Sequence, residues 1–331
     1  MNLRYNPRHA AAWLRDRIPV PVAYGRWRNA REQQRALEVL VTAAGAASCV
    51  PGRRASTCAG VVFSKDRAMQ LHALIRSYVR HVAAPRPPLT LLYRASTPAH
   101  AKAYEEAIDL VRREKAALEL EAREESALGF RGTLLSTLER IEASCVFCLV
   151  DDDLFIRPLD FTVFGSHDLR TTVPSLRLGR HITHAYVDNR DYAVPALTPA
   201  VGGLLRWQWA AGEGTWNYPM SVDGNLFDRG ELLAMARFLA FHGPNSFETG
   251  LVRAFGPLFS LRAGVCFEQA RLVNIPWNCV QQEVANRCGS LTEAELLRRW
   301  QAGECLDIAG MDGLTATAPH VEVEARFILR T

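Results

Sequence analysis

The stretch CVFCLVDDDLFIRP, Cys145 to Pro158, runs six uncharged and mostly hydrophobic residues directly into three consecutive aspartates. A short apolar run bounded by charge reads as a buried strand. Ionised carboxylates at its end repel one another and resist desolvation, so they sit most comfortably beside a divalent cation or water. On an extended segment Asp151 and Asp153 project to one side and Asp152 to the other. The outer pair can then share one hard cation, Mg²⁺ or Mn²⁺, whose shell is completed by waters and phosphate oxygens. The plainer alternative is a turn carrying solvated aspartates.

Upstream, the chain alternates strand and helix from Ala59 onward. CAGVVFSKDR predicts a buried strand ending at Phe63, and AMQLHALIRSYVRHV an amphipathic helix. PLTLLYRAS gives a second strand ending near Tyr93, PAHAKAYEEAIDLVRREKA a second helix, ALELEAR a third strand and GFRGTLLSTLERIEA a third helix. Four strands with three helical crossovers require an open, mostly parallel sheet, whose ligands collect at the carboxyl ends of the strands. The acidic triplet lies on that edge. So do Ser64, Asp66 and Arg67 after the first strand and Arg94 and Ser96 after the second. Arg67 suits phosphate and Ser64 or Asp66 a ribose or base, although Ser64 or Asp66 could equally cap the helix beginning near Arg67.

These residues resemble the nucleotide-sugar-dependent glycosyltransferases of the GT-A fold, whose signature is a hydrophobic strand running into a D-x-D. The resemblance covers residues 59–158 and implies that Asp153 holds a metal bridging the donor diphosphate. It implies that Asp151 contacts the ribose or the metal, and that Asp152 lies near sugar or ribose. VVFSKDRAMQLHALIRSY is similar to the opening strand, loop and helix of those enzymes. A GT-A-like α/β fold is therefore expected, with residues 1–58 as a helical N-terminal extension, 59–158 as the nucleotide-sugar half and 159–331 as the acceptor and catalytic half.

The second half carries the candidate acceptor residues. Trp207, Trp209, Trp216 and Tyr218 crowd a glycine-containing loop, where Trp209, Trp216 and Tyr218 could stack on sugar rings or else form a core cluster. Asp223, in a D-G turn, and Glu248, at a helix start after GPNS, are the two candidate bases. Asp223 could instead bond its own turn, and Glu248 could serve a capping box from Asn245. Stereochemistry stays open. His320, before an alternating stretch, is by the same resemblance a further possible metal ligand.

Length and composition exclude other classes. The chain has 331 residues, 48% hydrophobic, with 39 basic residues spread along it against 35 acidic ones, a net +4, so no polybasic tract marks a nucleic-acid or lipid surface. Arginines interrupt the N-terminal apolar stretch, which speaks against a secretory signal. No window is long and apolar enough for a transmembrane segment. A soluble cytoplasmic protein with reduced cysteines is expected; Cys145 and Cys148, three apart on a strand, face opposite ways and make poor joint zinc ligands. Helices are expected at His9–Arg17 and Ala30–Ala44, separated by a proline break at Ile18–Val22, with Leu37, Leu40 and Val41 facing the main body. No G-x-G-x-x-G follows the first strand, which disfavours a Rossmann dehydrogenase. A D-x-D phosphatase, or a non-catalytic nucleotide or sugar module, stays as an alternative. The expected activity is hexosyl transfer from a nucleoside diphosphate sugar donor to a hydroxyl acceptor.

Overall fold

The computed structural model describes residues 20–48, 57–113, 118–125, 127–186, 189–278 and 289–330. The expected helix at His9–Arg17 and the PGRR loop lie outside them. Helix α1, Val20–Ser48, begins inside the stretch expected to hold the proline break, with Pro21 in its first turn, where a missing N–H costs nothing; Ile18 and Pro19 lie outside the described residues. The alternation then proceeds as β1 Cys58–Lys65, α2 Ala68–His81, β2 Leu89–Arg94, α3 Pro98–Arg113, β3 Leu120–Glu124, α4 Gly129–Arg140 and β4 Cys145–Val150. After β4 come β5 Asp153–Phe155, β6 Thr172–Pro174, β7 Thr198–Ala200, β8 Leu204–Gln208, β9 Leu226–Asp228, α5 Arg229–Phe238, α6 Pro244–Phe259, β10 Ala263–Cys266 and β11 Leu272–Asn274.

The central sheet has the order β9-β4-β1-β2-β3, and only β9 runs antiparallel to its neighbour. This is the open, mostly parallel α/β sheet flanked by helices that the sequence predicts. A second sheet, β6-β10-β8-β7, lies beyond it, and β5 pairs antiparallel with β11 so that Asp153 sits opposite Asn274.

Alternation along the buried strands builds two cores. Val62, Phe147 and Leu149 join α2 and α3 on one face, whereas Val61, Phe63, Val146 and Cys148 join α4, α5 and α6 on the other. Cys145 and Cys148 accordingly fall on opposite faces, both buried as free thiols. Helix α1 lies against α5 and α6 through buried Ala36 and Leu40. Leu37 and Val41, expected to face inward, are exposed, at 49% and 64%. Helical geometry cannot bring both Ala36 and Leu37 to one face, and the smaller residue makes the closer approach.

β1 is the strand on which the sheet closes, and Gly60 at its centre has no room for a side chain. A Cβ there would meet Leu89 and lie 2.7 Å from the Phe147 ring. We expect Gly60→Ala to destabilise the fold by about 1–3 kcal/mol. A urea-unfolding midpoint equal to that of the parent would contradict this packing.

Candidate active site

Asp151 and Asp152 form a turn and Asp153 opens β5, so the triplet is not a continued strand and its side chains do not alternate. Asp151 turns back toward β1. Its Oδ2 accepts from the Ser64 hydroxyl at 2.7 Å and the Lys65 amide at 3.3 Å, and its Oδ1 from Arg67 Nη1 at 2.9 Å. The same Nη1 lies 2.9 Å from Asp152 Oδ2, so one guanidinium bridges two neighbouring carboxylates. Arg67 Nη2 donates to the Asn278 carbonyl, and Gln70 Nε2 to the Asn278 side chain at 2.8 Å. Asp153, fully buried, accepts from the Val150 amide at 2.9 Å and from Asn274 Nδ2 at 3.2 Å; Asn274 also reaches Asp152.

This arrangement revises two expectations. Asp151 does not share an open face with Asp153, because the turn and Arg67 draw it toward β1. Arg67 is engaged by the two carboxylates rather than standing open toward solvent, because these buried carboxylates would be costly without a cation. Burial still pushes the Asp151 carboxyl up, to about 6, despite the opposing pull of Arg67. Neither Ser64 nor Asp66 caps α2, whose N-cap is Arg67, with no side-chain cap bond. Asp66 instead holds a left-handed backbone, φ +56°, and accepts from the Ser96 amide at 2.7 Å, tying the β1 and β2 loops together. Arg94 lies at the solvent rim, 3.8 Å from Glu125.

A second group of charges faces the triplet. Asp223 Oδ2 is 3.4 Å from His320 Nε2 and 3.9 Å from Arg177 Nη1. Burial acts to raise its carboxyl pKa, but the hydrogen bond and charge of His320, with Arg177, overcome this and hold it below the usual range. Burial, with Asp223 opposite, pushes Asp153 well above it. Asn274 bridges the two groups, since it pairs with Asp153 on one side and forms a backbone bridge with His320 on the other.

Glu248 lies on α6, and the capping reading fails for it. Gly243 is the N-cap, and Ser246 closes the helix start by accepting from the Gly243 amide at 3.0 Å. Glu248 is thereby released to the site, where its Oε1 accepts from the Val222 amide at 3.3 Å. Burial, reinforced by the charge of Asp223, raises its carboxyl to about 7. The half-buried Tyr218 lies beside Glu248, so that burial together with the charge of that carboxylate raises its hydroxyl pKa, and the Arg177 guanidinium stands 5.6 Å from the centre of its ring.

The other aromatic candidates belong to the core. Trp209 and Trp216 are 0% and 1% exposed, and each packs edge-on against Trp207. Trp216 Nε1 donates to the Ile182 carbonyl at 2.9 Å. Rings sealed in this way cannot stack on an acceptor, so only Tyr218 of the three borders the charged groups. Sequence reasoning passed over Tyr104, whose hydroxyl lies 2.6 Å from that of Ser64 and accepts from the Arg67 amide at 3.1 Å, and also Gln70, Ser221, Asn274 and Asn278. A polar Gln70 on the buried face of α2, and two asparagines flanking Pro276, were the available signals.

A divalent cation fits one part of this site. Asp151 has both oxygens engaged, but Asp153 and Asp223 are hard oxygen donors close enough to repel one another, and the His320 imidazole lies beside Asp223. Among the described residues no three such side chains close a metal site by themselves. That suits an ion held by one or two carboxylates and completed by phosphate oxygens and water.

No family model and no curated protein matches the chain. Similar solved structures include Staphylococcus aureus TarS residues 1–349 in complex with UDP-GlcNAc (12% identity, 72% of this chain and 62% of that one, TM-score 0.41). A mannosyltransferase from Pyrobaculum calidifontis in complex with GDP-Man and Mn²⁺ is similar at 12% identity, over 72% and 66%, with TM-score 0.39. The apo form of the glycosyltransferase GlyE of Streptococcus pneumoniae is similar at 14%, over 74% and 64%, with TM-score 0.33. The chain spans about three fifths of the TarS structure it matches. Likenesses of this size carry no argument about the reaction, for which the site's own geometry has to answer.

Replacing Arg67 by Met leaves two buried carboxylates without their cation. The expected cost is about 3–5 kcal/mol of unfolding free energy, read from denaturant titration at pH 7.5. A loss below about 1 kcal/mol would show that the bridge is not what holds this edge together.

Proposed function

We propose that the chain is a cation-assisted glycosyltransferase that moves a hexosyl group from a nucleoside diphosphate donor to a hydroxyl acceptor. The observation that carries this reading is the convergence of Asp153, Asp223 and Glu248, from three separate segments, with the carboxyl edge of a parallel sheet. The three differ in proton affinity. A site built to neutralise a leaving diphosphate and to deprotonate a hydroxyl needs carboxylates of both kinds.

On this reading the donor nucleotide lies along the β1 and β2 ends. Ser64, Asp66, Arg94, Asp151 and Asp152 border it, and Arg67 holds the loop in shape. A cation at Asp153, with Asp223 or His320 beside it, would offset charge building on the diphosphate as the glycosidic bond breaks. Glu248 is the favoured base. Its carboxyl, raised to about 7, accepts a proton near neutral pH, and the Val222 amide fixes its direction. Asp223, held ionised, serves better as an electrostatic anchor than as the base. Tyr218 presents the partly exposed ring beside Glu248 against which an acceptor sugar can lie. A phosphatase using Asp151 as nucleophile fits less well, since Ser64, Lys65 and Arg67 occupy both of its oxygens.

Calorimetric titration of UDP and of GDP, with Mn²⁺ and again with EDTA, tests the reading. Binding of one nucleotide is expected with Mn²⁺, weakened tenfold or more by EDTA and by Asp153→Asn. Failure of both nucleotides to bind under either condition would overturn it.

The base assignment has its own signature. Glu248 must be deprotonated to act, so kcat/KM should fall about tenfold per pH unit below about 7 and level off above it. Glu248→Gln should lower kcat by a factor on the order of 10² to 10⁴ without weakening nucleotide binding. A Gln variant with parental turnover would remove Glu248 from the mechanism.

A further inference from the structure

Three basic side chains gather beyond the β5 and β11 pair with no acid among them. Arg157 follows β5 and Arg271 precedes β11, and the Ile156 amide donates to the Arg271 carbonyl at 2.9 Å, so the two arginines rise from adjoining chains. His181 belongs to a turn that the Ile182 amide closes on the Gly179 carbonyl. That turn lies close on the same segment, since a Cβ at Gly179 would stand 2.6 Å from the Ala270 nitrogen. Arg157 Nη1 donates to the carbonyl of the same Ala270 at 3.0 Å.

Among the described residues this cluster holds no counter-charge. Arg157, buried, donates to the Ala270 and Gly313 carbonyls and to the Thr315 hydroxyl, all of them neutral. Those partners explain Arg157 as a brace for the loop at 313–315, but nothing comparable explains Arg271. Its guanidinium carbon stands 4.2 Å from the centre of the Phe267 ring, and its Nε is buried without a hydrogen-bond partner. His181 Nδ1 is buried in the same condition. Carboxylates close by in the chain are engaged elsewhere, Glu268 with Arg180 at 2.7 Å and Asp312 with Arg80 and His81. Burial lowers the proton affinity of all three groups, and the charge of Arg157 lowers it further at Arg271 and His181. A fold gains no stability from bringing like charges together out of water. The arrangement suits an anion supplied from outside, and the way in is open, because Arg271 and His181 are partly exposed and Thr315 stands at the surface.

We propose that Arg157, His181 and Arg271 form a binding site for a phosphate group, held chiefly by the fork of Arg271. A planar guanidinium presents two parallel N–H donors to one phosphate, and the second arginine and the imidazole add charge and a donor beside it. The site is separate from the Asp153 edge: Arg157 and Arg271 lie four and three residues from the paired Asp153 and Asn274, about 10–13 Å at the rise of a strand. The assignment stands without the reaction proposed above, and it asks for a ligand whose phosphate is not the donor's diphosphate.

Thermal unfolding of the full chain in EDTA tests it, with about 20 mM inorganic phosphate compared against sodium chloride of equal ionic strength. Phosphate is expected to raise the parental Tm by about 2 °C or more. Calorimetric titration of phosphate should give a Kd that Arg271→Gln weakens about tenfold or more. In chloride alone that variant should unfold at or above the parental Tm, because it removes one of two unpaired like charges. Asp153→Asn, which is directed at nucleotide binding, should leave the phosphate response unchanged. The proposal is overturned if phosphate acts on the parent only as chloride does, if Arg271→Gln fails to fold or unfolds at lower temperature, or if that variant responds to phosphate as the parent does. An equal response to acetate would overturn it too, by showing a site for any small anion. Loss of the response in Asp153→Asn would overturn it by assigning the phosphate to the donor edge. No nucleotide enters these measurements, so their failure leaves the glycosyltransferase reading untouched, and failure of nucleotide binding leaves this site untouched.

Discussion

Three adjacent carboxylates, Asp151 to Asp153, are withdrawn from water at the edge of a parallel sheet, and an unpaired ion in such a place costs several kcal/mol. The surrounding structure is organised to meet that demand. Arg67 supplies a full charge between the first two, Ser64 and the Lys65 amide add hydrogen bonds, and Asn274 spans the second and third. The donors come from the end of β1, the start of α2 and the end of β11, so the triplet pins these three to β4. Gln70 and Asn278 extend the same network by one further layer.

The compensation is unequal, and that inequality gives the site its chemistry. Asp151 has a cation, whereas Asp153 has only neutral donors and faces Asp223. Asp223 is kept ionised by His320 and Arg177, and its charge in turn helps to lift Glu248. One edge thus holds carboxylates stabilised in the charged form beside others that resist it. Functional sites gather such contrasts because a group that binds a cation and a group that takes a proton need opposite environments.

The aromatic loop shows the limit of composition as a guide. Trp207, Trp209 and Trp216 resemble a carbohydrate platform by spacing, yet they interlock edge-to-face and fill the second core, leaving Tyr218 at the rim. Large rings contribute most to stability when fully buried, and only a polar handle directed at a charged neighbour, as in Tyr218, marks a ring kept for another purpose. The N-terminal helix shows the converse. Its periodicity predicted an inward stripe through Leu37, Leu40 and Val41, whereas the fold took Leu40 with Ala36 and left Leu37 and Val41 outside.

The sequence by itself determined the open α/β sheet, the order of its first four strands and helices, and the edge at which acidic and polar residues would gather. Those features follow from local periodicity, and each strand's carboxyl end inherits its place from the strand. It also singled out Glu248, Asp223 and the triplet as candidates by residue type. Only the tertiary structure decided which carboxylates are paired with arginine and which face one another. Those pairings join residues as distant as Arg67 and Asp152, or Asp223 and His320. A turn at Asp151 and Asp152, replacing the expected alternation, was enough to send neighbouring side chains to different partners. Charge and burial act through space, and no spacing along the chain records them.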